Sequence, residues 1–225
     1  MSRPVARVPK HLIWDFDGTL YDTYAEISGA LLYALNDFRR VAAPSEVYAL
    51  AKVSVFHAVT TLANRFLLPA DDLMARYRRY HLAQTDLHPY YGAADCLAKT
   101  ARMGCRHYLF THREKESALG ALKRDDLDLY FTDYVTRDMG FADKPSPEAV
   151  LHLMEKNGFA ARDAYMIGDR DIDLLSGSAA GVDGILFDPG HFYDGFDAPH
   201  RVVSMEELTA LMDQCTRAAH GQERA

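Results

Sequence analysis

Short apolar runs alternate with helical patterns along most of this chain, and this alternation restricts the possible folds more than any other feature. The runs are bounded by turn residues, as buried strands usually are, and they fall at residues 12–14, 108–110, 130–135, 165–167 and 185–187. Helical periodicity fills most of the intervals between them. Parallel strands are usually joined by helices, so the sequence predicts an α/β protein with a parallel sheet.

Residues 22–88 interrupt this alternation, because they contain several helical stripes and no candidate strand. Apolar residues there follow the spacing of one helix face: Ile27, Ala30, Leu31, Ala34, Leu35 and Phe38 in one stripe, and Val55, Val59, Leu62, Ala63 and Phe66 in another. A third stripe is expected over 71–85. We interpret 22–88 as a helical bundle inserted into an α/β core of residues 1–21 and 89–225, with hinges near Thr23 and 89–92. The alternative is one continuous fold.

Charge and cysteine content exclude several classes of partner. The formal net charge of −7 argues against nucleic acids and anionic membranes, since those surfaces require clustered Lys and Arg. Cys96, Cys105 and Cys215 have no metal-ligand spacing and are odd in number, so we expect reduced thiols. Residues 2–10 are basic, but the apolar run that follows is far too short for a signal peptide or a membrane span. We therefore expect a cytoplasmic protein.

Two carboxylates, Asp15 and Asp17, follow the first predicted strand and precede Gly18. Ligands bind at the carboxyl edge of open α/β sheets, so these side chains are candidates for a site. Gly18 allows the chain to turn sharply directly after them. A strand that simply ends in an Asx-type turn is the structural alternative for this pair.

Four segments in order resemble the motifs of the haloacid dehalogenase (HAD) superfamily. Residues 15–20 (Asp-Phe-Asp-Gly-Thr-Leu) resemble its first motif, and the others are Thr111, the pair Lys144 and Pro145, and residues 168–173 (Gly-Asp-Arg-Asp-Ile-Asp). The resemblance covers nearly the whole chain, and 22–88 stand where the family has its helical C1 cap. It implies a Rossmann-like, doubly wound parallel sheet core with an inserted small helical-bundle cap.

The resemblance also implies roles for the acidic residues. Asp15 would attack phosphorus as a nucleophile, and Asp17 would be the general acid and then the general base. Mg²⁺ would be the cofactor, because it prefers an all-oxygen site that includes carboxylates. Its expected ligands are Asp15, the backbone carbonyl of Asp17, and Asp169, with Asp173 holding metal-bound water.

The same resemblance assigns substrate contacts to the two middle motifs. Thr111 and the backbone amide after it would hold phosphoryl oxygens, and Lys144 would neutralise the charge that develops on them. His112 stands where many relatives have Asn, and Arg113 follows it. This departure leaves two interpretations of His112 open, as a residue that grips the substrate and as an ordinary loop histidine.

The resemblance thus favours a Mg²⁺-dependent phosphatase that acts on a small phosphorylated metabolite, similar to phosphoglycolate phosphatases. A sugar phosphomutase-like phosphotransferase is an alternative, although those relatives carry an Arg shortly after the Ser of the cap loop, whereas Val55 follows Ser54 here. Haloacid dehalogenation and a non-catalytic sensor of a phosphorylated ligand are further alternatives. Lys52 and Ser54, in the interval between two helical stripes, are the candidates for substrate selection, whereas the loop 188–199 is expected to pack as an ordinary loop.

Overall fold

The computed structural model describes residues 9–83, 87–193 and 195–222. The basic residues 2–8 and the end of the expected stripe at 84–85 lie outside the described residues. The chain divides into two compact units, one formed by Met1–Tyr21 and Pro89–Ala225 and the other by Asp22–His88. Within the described ranges, no helix is both long and apolar enough to cross a membrane.

The larger unit contains one parallel sheet. Its strands in the described residues are β1 (His11–Trp14), β2 (Arg106–Phe110), β3 (Phe131–Val135), β4 (Ala164–Gly168), β5 (Asp183–Phe187) and β6 (His200–Val202). Their spatial order is β3-β2-β1-β4-β5-β6, and each neighbouring pair runs parallel. This confirms the predicted α/β fold. The edge strand β6 was not predicted, because three residues with a single buried apolar side chain give no periodic signal.

Helices cover both faces of this sheet. They are α5 (Ala93–Arg102), α6 (Lys115–Arg124), α7 (Glu148–Asn157), α8 (Asp171–Ala179) and α9 (Met205–Gln222). Successive strand residues point to opposite faces, so Ile13 packs in a cluster with Val150 of α7. On the other face Trp14 Nε1 donates a hydrogen bond to His107 Nδ1 at 3.0 Å, and His107 Nε2 lies 3.3 Å from Thr100 Oγ1 of α5. Because helices pack on both of its faces, the sheet is doubly wound, as predicted.

The chain order of the strands reverses beside β1. From β1 the chain proceeds outward through β2 and β3, and β4 then returns to the other side of β1. Such a reversal opens a crevice at the carboxyl ends of the two central strands. Asp15 and Asp169 directly follow those strands, and the Asp15 N–H donates to the Ile167 carbonyl at 2.9 Å. The sheet topology therefore places the first and last motifs side by side.

The smaller unit is built from helices α1 (Tyr24–Asp37), α2 (Pro44–Val53), α3 (Val55–Phe66) and α4 (Ala70–Ala83). The first helix packs against α2 and α4, and α3 packs against the same two helices. Both quoted apolar stripes supply its buried cluster, together with Val47 and Leu73. Each helix buries its apolar face within the unit, which accounts for the helical stripes in 22–88.

Helix α2 corrects one interpretation of the sequence. The sequence predicts that Lys52 lies between two helices, but it lies in the last turn of α2. Its side chain is buried, and Nζ is 4.5 Å from the centre of the Tyr24 ring. The stripe of this helix is short, because its buried apolar residues are Val47 and Ala51, so periodicity gave little signal. Ser54 does separate two helices, and its side chain accepts the His57 N–H at the start of α3.

The three cysteines, Cys96, Cys105 and Cys215, are free and buried. Burial raises the pKa of all three thiols, to about 12 for Cys105, so they are protonated at neutral pH. The expectation of reduced, structural thiols fits this environment.

Candidate active site

The loop after β1 separates the two carboxylates of the first motif. The strand ends at Trp14, and the carbonyl of Phe16 accepts hydrogen bonds from the N–H groups of Leu20 and Tyr21 at 3.1 and 3.0 Å. Gly18 adopts a φ of 79°, a left-handed conformation that a side chain would disfavour. Asp15 is buried, whereas the Asp17 side chain remains 24% exposed.

A buried lysine joins two acidic residues at the centre of the site. Lys144 Nζ donates to Asp15 Oδ1 at 2.5 Å and lies 2.8 Å from Asp173 Oδ1. All three side chains are almost fully buried. An ammonium group between two carboxylates offsets charge that would be costly to bury unpaired. Its Nζ also lies 4.5 Å from the centre of the Phe110 ring.

Burial and charge pairing act in opposite directions on the pKa values of these groups. Burial opposes the charge of Lys144, but Asp15 and Asp173 outweigh it and raise the pKa of the amine. Burial raises the pKa of Asp15 to about 7, although Lys144 lowers it. Burial would raise the pKa of Asp173 too, yet Lys144 and Arg170 outweigh it and hold that pKa below its ordinary value. The pKa of Asp15 thus stays above its ordinary value although Lys144 contacts its carboxylate.

Three buried carboxylates form a group suited to a divalent cation. One oxygen from each of Asp15, Asp169 and Asp173 lies within 4.8 Å of the others. Asp15 Oδ2 is buried and has no hydrogen-bond partner among the residues that the structure describes. Hard cations such as Mg²⁺ bind carboxylate oxygens, so the surplus of acidic charge and the unsatisfied oxygen fit such an ion.

The start of α8 fixes two of these carboxylates. Arg170 precedes the helix, and its N–H donates to Asp173 Oδ2 at 3.0 Å, so Asp173 caps the first turn. A Cβ atom on Gly168 would lie 2.2 Å from Asp173 Cβ, so glycine is required for this close approach. Asp169 accepts a hydrogen bond from Thr19 Oγ1 at 3.4 Å and is not the residue at the N-cap.

Arg113 is a site residue to which the sequence analysis assigned no role. Its Nε donates to both carboxylate oxygens of Asp17, at 2.8 and 3.1 Å, and its side chain is only 11% exposed. Nη1 donates to Ser117, and the guanidinium lies 5.0 Å from the centre of the Phe16 ring. Arg113 thus orients Asp17 from a different loop. The one signal in the sequence was its position two residues after Thr111.

Thr111 and His112 extend the site beyond β2. Thr111 is buried, and its Oγ1 accepts the Arg113 N–H at 3.0 Å. His112 Nε2 accepts the Lys144 N–H at 3.0 Å and lies 3.5 Å from Asp143 Oδ1. The structure therefore brings His112 to the backbone of the central lysine.

The loop after β5 carries a tyrosine whose pKa responds to nearby acidic residues. Buried Asp188 accepts the N–H groups of Phe192 and Tyr193 at 2.9 and 3.0 Å, and Arg201 Nη1 donates to it at 2.6 Å. Burial raises the pKa of Tyr193, and the negative charges of Asp171 and Asp169 raise it further. The expectation of ordinary packing fits the hydrogen bonds that anchor this loop, but it did not include the effect of these charges on Tyr193.

Comparison with known proteins agrees with this arrangement. Residues 12–187 match the family model described as Haloacid dehalogenase-like hydrolase. Because the match covers well over half of the chain, this protein belongs to the haloacid dehalogenase-like hydrolases.

Two curated relatives are similar in sequence. Phosphoglycolate phosphatase 1 of Pseudomonas aeruginosa is 28% identical over 185 residues, which cover 78% of this chain and 68% of that protein. The pyrophosphatase PpaX of Halalkalibacterium halodurans is 26% identical, over 89% of this chain and 95% of the relative.

A crystal structure of a hydrolase from Streptococcus pneumoniae is 29% identical, with a TM-score of 0.69, and the match covers 92% of this chain and 99% of that one. The sequence and structural matches both span most of the chain, so the resemblance seen in the four motifs extends to the whole fold.

Proposed function

We propose that this protein is a Mg²⁺-dependent phosphatase that hydrolyses a small phosphomonoester through an aspartyl-phosphate intermediate on Asp15. The observation that carries this proposal is the buried cluster in which Lys144 lies between Asp15 and Asp173, with Asp169 beside them. The cluster combines a carboxylate nucleophile, a fixed positive charge and an acidic group that suits a divalent cation. Phosphoryl transfer needs these three components.

Asp15 is the proposed nucleophile. Its Oδ1 is held by Lys144, while Oδ2 is buried without a hydrogen-bond partner among the described residues. A fixed carboxylate attacks phosphorus without the loss of orientational freedom that a mobile group would incur. The leaving alcohol departs with the P–O bond electrons, and water then releases phosphate and regenerates Asp15.

Lys144 is proposed to stabilise the transition state. Its ammonium is already oriented by two carboxylates, so no reorganisation is needed when negative charge collects on the transferring group. The Thr111 hydroxyl accepts the Arg113 N–H, and its own proton can therefore be donated to a phosphoryl oxygen. Bound through Asp15, Asp169 and the backbone carbonyl of Asp17, with Asp173 nearby, Mg²⁺ would supply further charge neutralisation and favour ionised Asp15.

Asp17 is proposed to move the protons. As an acid it protonates the leaving alkoxide, and as a base it accepts a proton from the water that attacks the aspartyl phosphate. The two-point contact with Arg113 orients the ionised carboxylate, which is the form that the second step uses. Its partial exposure leaves it accessible to a substrate oxygen.

The names of the relatives support two candidate substrates. The two curated relatives are named as a phosphoglycolate phosphatase and a pyrophosphatase, so phosphoglycolate is the first candidate substrate and pyrophosphate the second. We propose that 22–88 act as a cap that excludes bulk water and selects the substrate.

Phosphate release from a panel of phosphomonoesters and from pyrophosphate tests this proposal. Wild-type protein, Asp15→Asn and the control Asp95→Asn are compared with Mg²⁺ and with chelator; Asp95 is an exposed residue of α5. We expect release that requires Mg²⁺, survives Asp95→Asn and falls at least ~10³-fold in Asp15→Asn. Absence of release from every compound by wild-type protein would overturn the proposal.

A further inference from the structure

His112 contacts the backbone of the central lysine. It follows Thr111 in the loop between β2 and α6, and its Nε2 accepts the Lys144 N–H at 3.0 Å. The imidazole ring also makes an edge contact with Phe110, with 6.2 Å between ring centres. These contacts tie the segment that carries Lys144 to the end of β2.

The hydrogen bond requires one protonation state of His112. A nitrogen that accepts a hydrogen bond carries no proton, so the ring must be neutral with its hydrogen on Nδ1. Burial lowers the pKa of His112 to about 4, and the positive charges of Lys144 and Arg170 lower it further, against the opposing effects of Asp143 and Asp173. The surroundings thus maintain the form that accepts the bond at neutral pH.

The segment around Lys144 has few other backbone donors with which it could be anchored. Pro145 and Pro147 have no N–H group. The N–H of Ala142 donates to Glu148 and the N–H of Ser146 donates to the Asp143 carbonyl, so both of these bonds stay within the segment and its helix. The Lys144 N–H, in contrast, reaches across to His112 in the loop after β2. A shift of this backbone would displace an ammonium group that lies 2.5 Å from Asp15.

We propose that His112 is a positioning residue, whose neutral imidazole fixes the backbone of Lys144 so that the ammonium group stays between Asp15 and Asp173. This role rests on the proposed function, in which Lys144 stabilises the transition state. On this proposal, the histidine at position 112 serves to position Lys144 and not to contact the substrate.

Two substitutions separate this role from a general structural one. His112→Leu removes the acceptor, whereas His112→Gln can present a carbonyl oxygen near the position of Nε2. We expect kcat to fall about 10- to 100-fold in His112→Leu with KM changed less than about 3-fold, because displacement of Lys144 weakens the transition state more than the bound substrate. His112→Gln should retain kcat within about 5-fold. Full kcat in a folded His112→Leu protein would overturn the proposal.

The ¹⁵N NMR spectrum of the imidazole gives a readout that is independent of activity. We expect wild-type His112, assigned by its absence in His112→Gln, to show an unprotonated Nε2 and to remain neutral at about pH 5.5, below the ordinary pKa of histidine. A proton on Nε2, or a charged ring at that pH, would contradict the proposal even in an active enzyme. The expected tautomer in a protein that hydrolyses nothing would support the contact and overturn the proposed function instead.

Discussion

Lys144 is the residue on which the electrostatics of the site depend. It is the positive partner of Asp15 and Asp173, and all three side chains are buried. Removal of one member of a buried charge network leaves the others uncompensated, which costs more than the pair contributes when it is intact. We therefore expect Lys144 to affect folding stability, in addition to its proposed role in catalysis.

Lys144→Met should lower the free energy of unfolding by about 3–5 kcal/mol in the presence of chelator, because two buried carboxylates lose their charged partner. Because Mg²⁺ is proposed to bind the acidic group in the native state, it should recover part of this loss. Urea unfolding monitored by circular dichroism measures both effects. The control Lys156→Met removes an exposed partner of Asp133 and should change stability by less than about 1 kcal/mol. Equal effects of the two substitutions would contradict this account.

Some individual site residues were predictable from the sequence and others were not. Asp15, Lys144, Asp169 and Asp173 stand at fixed places in ordered motifs, and the structure brings them together. The pairing of Arg113 with Asp17 depends on how two loops meet, and spacing along the chain carries no information about that. The catalytic roles of all these residues remain predictions.

Helix α8 shows how an element depends on close packing. Gly177 lies where the helix crosses β4, and a Cβ atom there would be 2.7 Å from Met166 Cβ. Gly120, in α6, has no atom within 4 Å of the corresponding position. Substitution of each glycine by alanine therefore compares a closely packed helix position with an open one.

Gly177→Ala should destabilise the protein by about 1–3 kcal/mol, because overpacking against the strand outweighs the gain of roughly 1 kcal/mol in helix propensity. Gly120→Ala should instead stabilise it by about 0.5–1 kcal/mol, since only the propensity changes. Thermal and urea unfolding of both variants provide the measurement. A stabilised Gly177→Ala protein would show that α8 can move away from β4 without loss.

Most elements with a clear period were predicted, although the C-terminal helix α9 was not. The five longer strands and helices such as α7 and α8 follow from apolar runs and turn residues. Helix α2 and strand β6 were missed because the stripe of α2 is narrow and β6 has only three residues. Tertiary packing stabilises these elements, so local sequence alone could not indicate them.

At the scale of the molecule, the sheet is held on one face by a buried polar chain. His107 accepts from Trp14 and lies beside Thr100, and burial lowers its pKa to about 4. A histidine with a pKa below its unfolded value stabilises the fold only while it is neutral. That contribution is complete above the unfolded pKa of about 6.5 and is lost as the pH falls toward the folded pKa.

His107 should therefore account for about 2 kcal/mol of the stability that wild-type protein loses between about pH 7 and pH 5. Urea unfolding at both pH values, compared with His107→Gln, measures this share. We expect the variant to be less stable at neutral pH, because the contact with Trp14 is altered, but also less sensitive to pH. An unchanged pH dependence in the variant would exclude His107 as the cause.

The parallel direction of the strands was predictable, because a chain in which strands and helices alternate can adopt few topologies. The selectivity of the enzyme was not predictable, and even the burial in α2 of its candidate residue Lys52 was not evident from the sequence. The helical character of 22–88 was apparent from periodicity, whereas its proposed role as a cap comes from the resemblance to the family.

The most direct test of the central claim is to trap the covalent intermediate. Wild-type protein is mixed with Mg²⁺ and a phosphomonoester that it hydrolyses, quenched in acid during turnover, reduced with borohydride and mapped by mass spectrometry. Borohydride converts an aspartyl phosphate to homoserine, and we expect this change at Asp15, with none in Asp15→Asn or without substrate. Modification at Asp17, or none at Asp15 during continuing turnover, would contradict the assignment of Asp15 as the nucleophile.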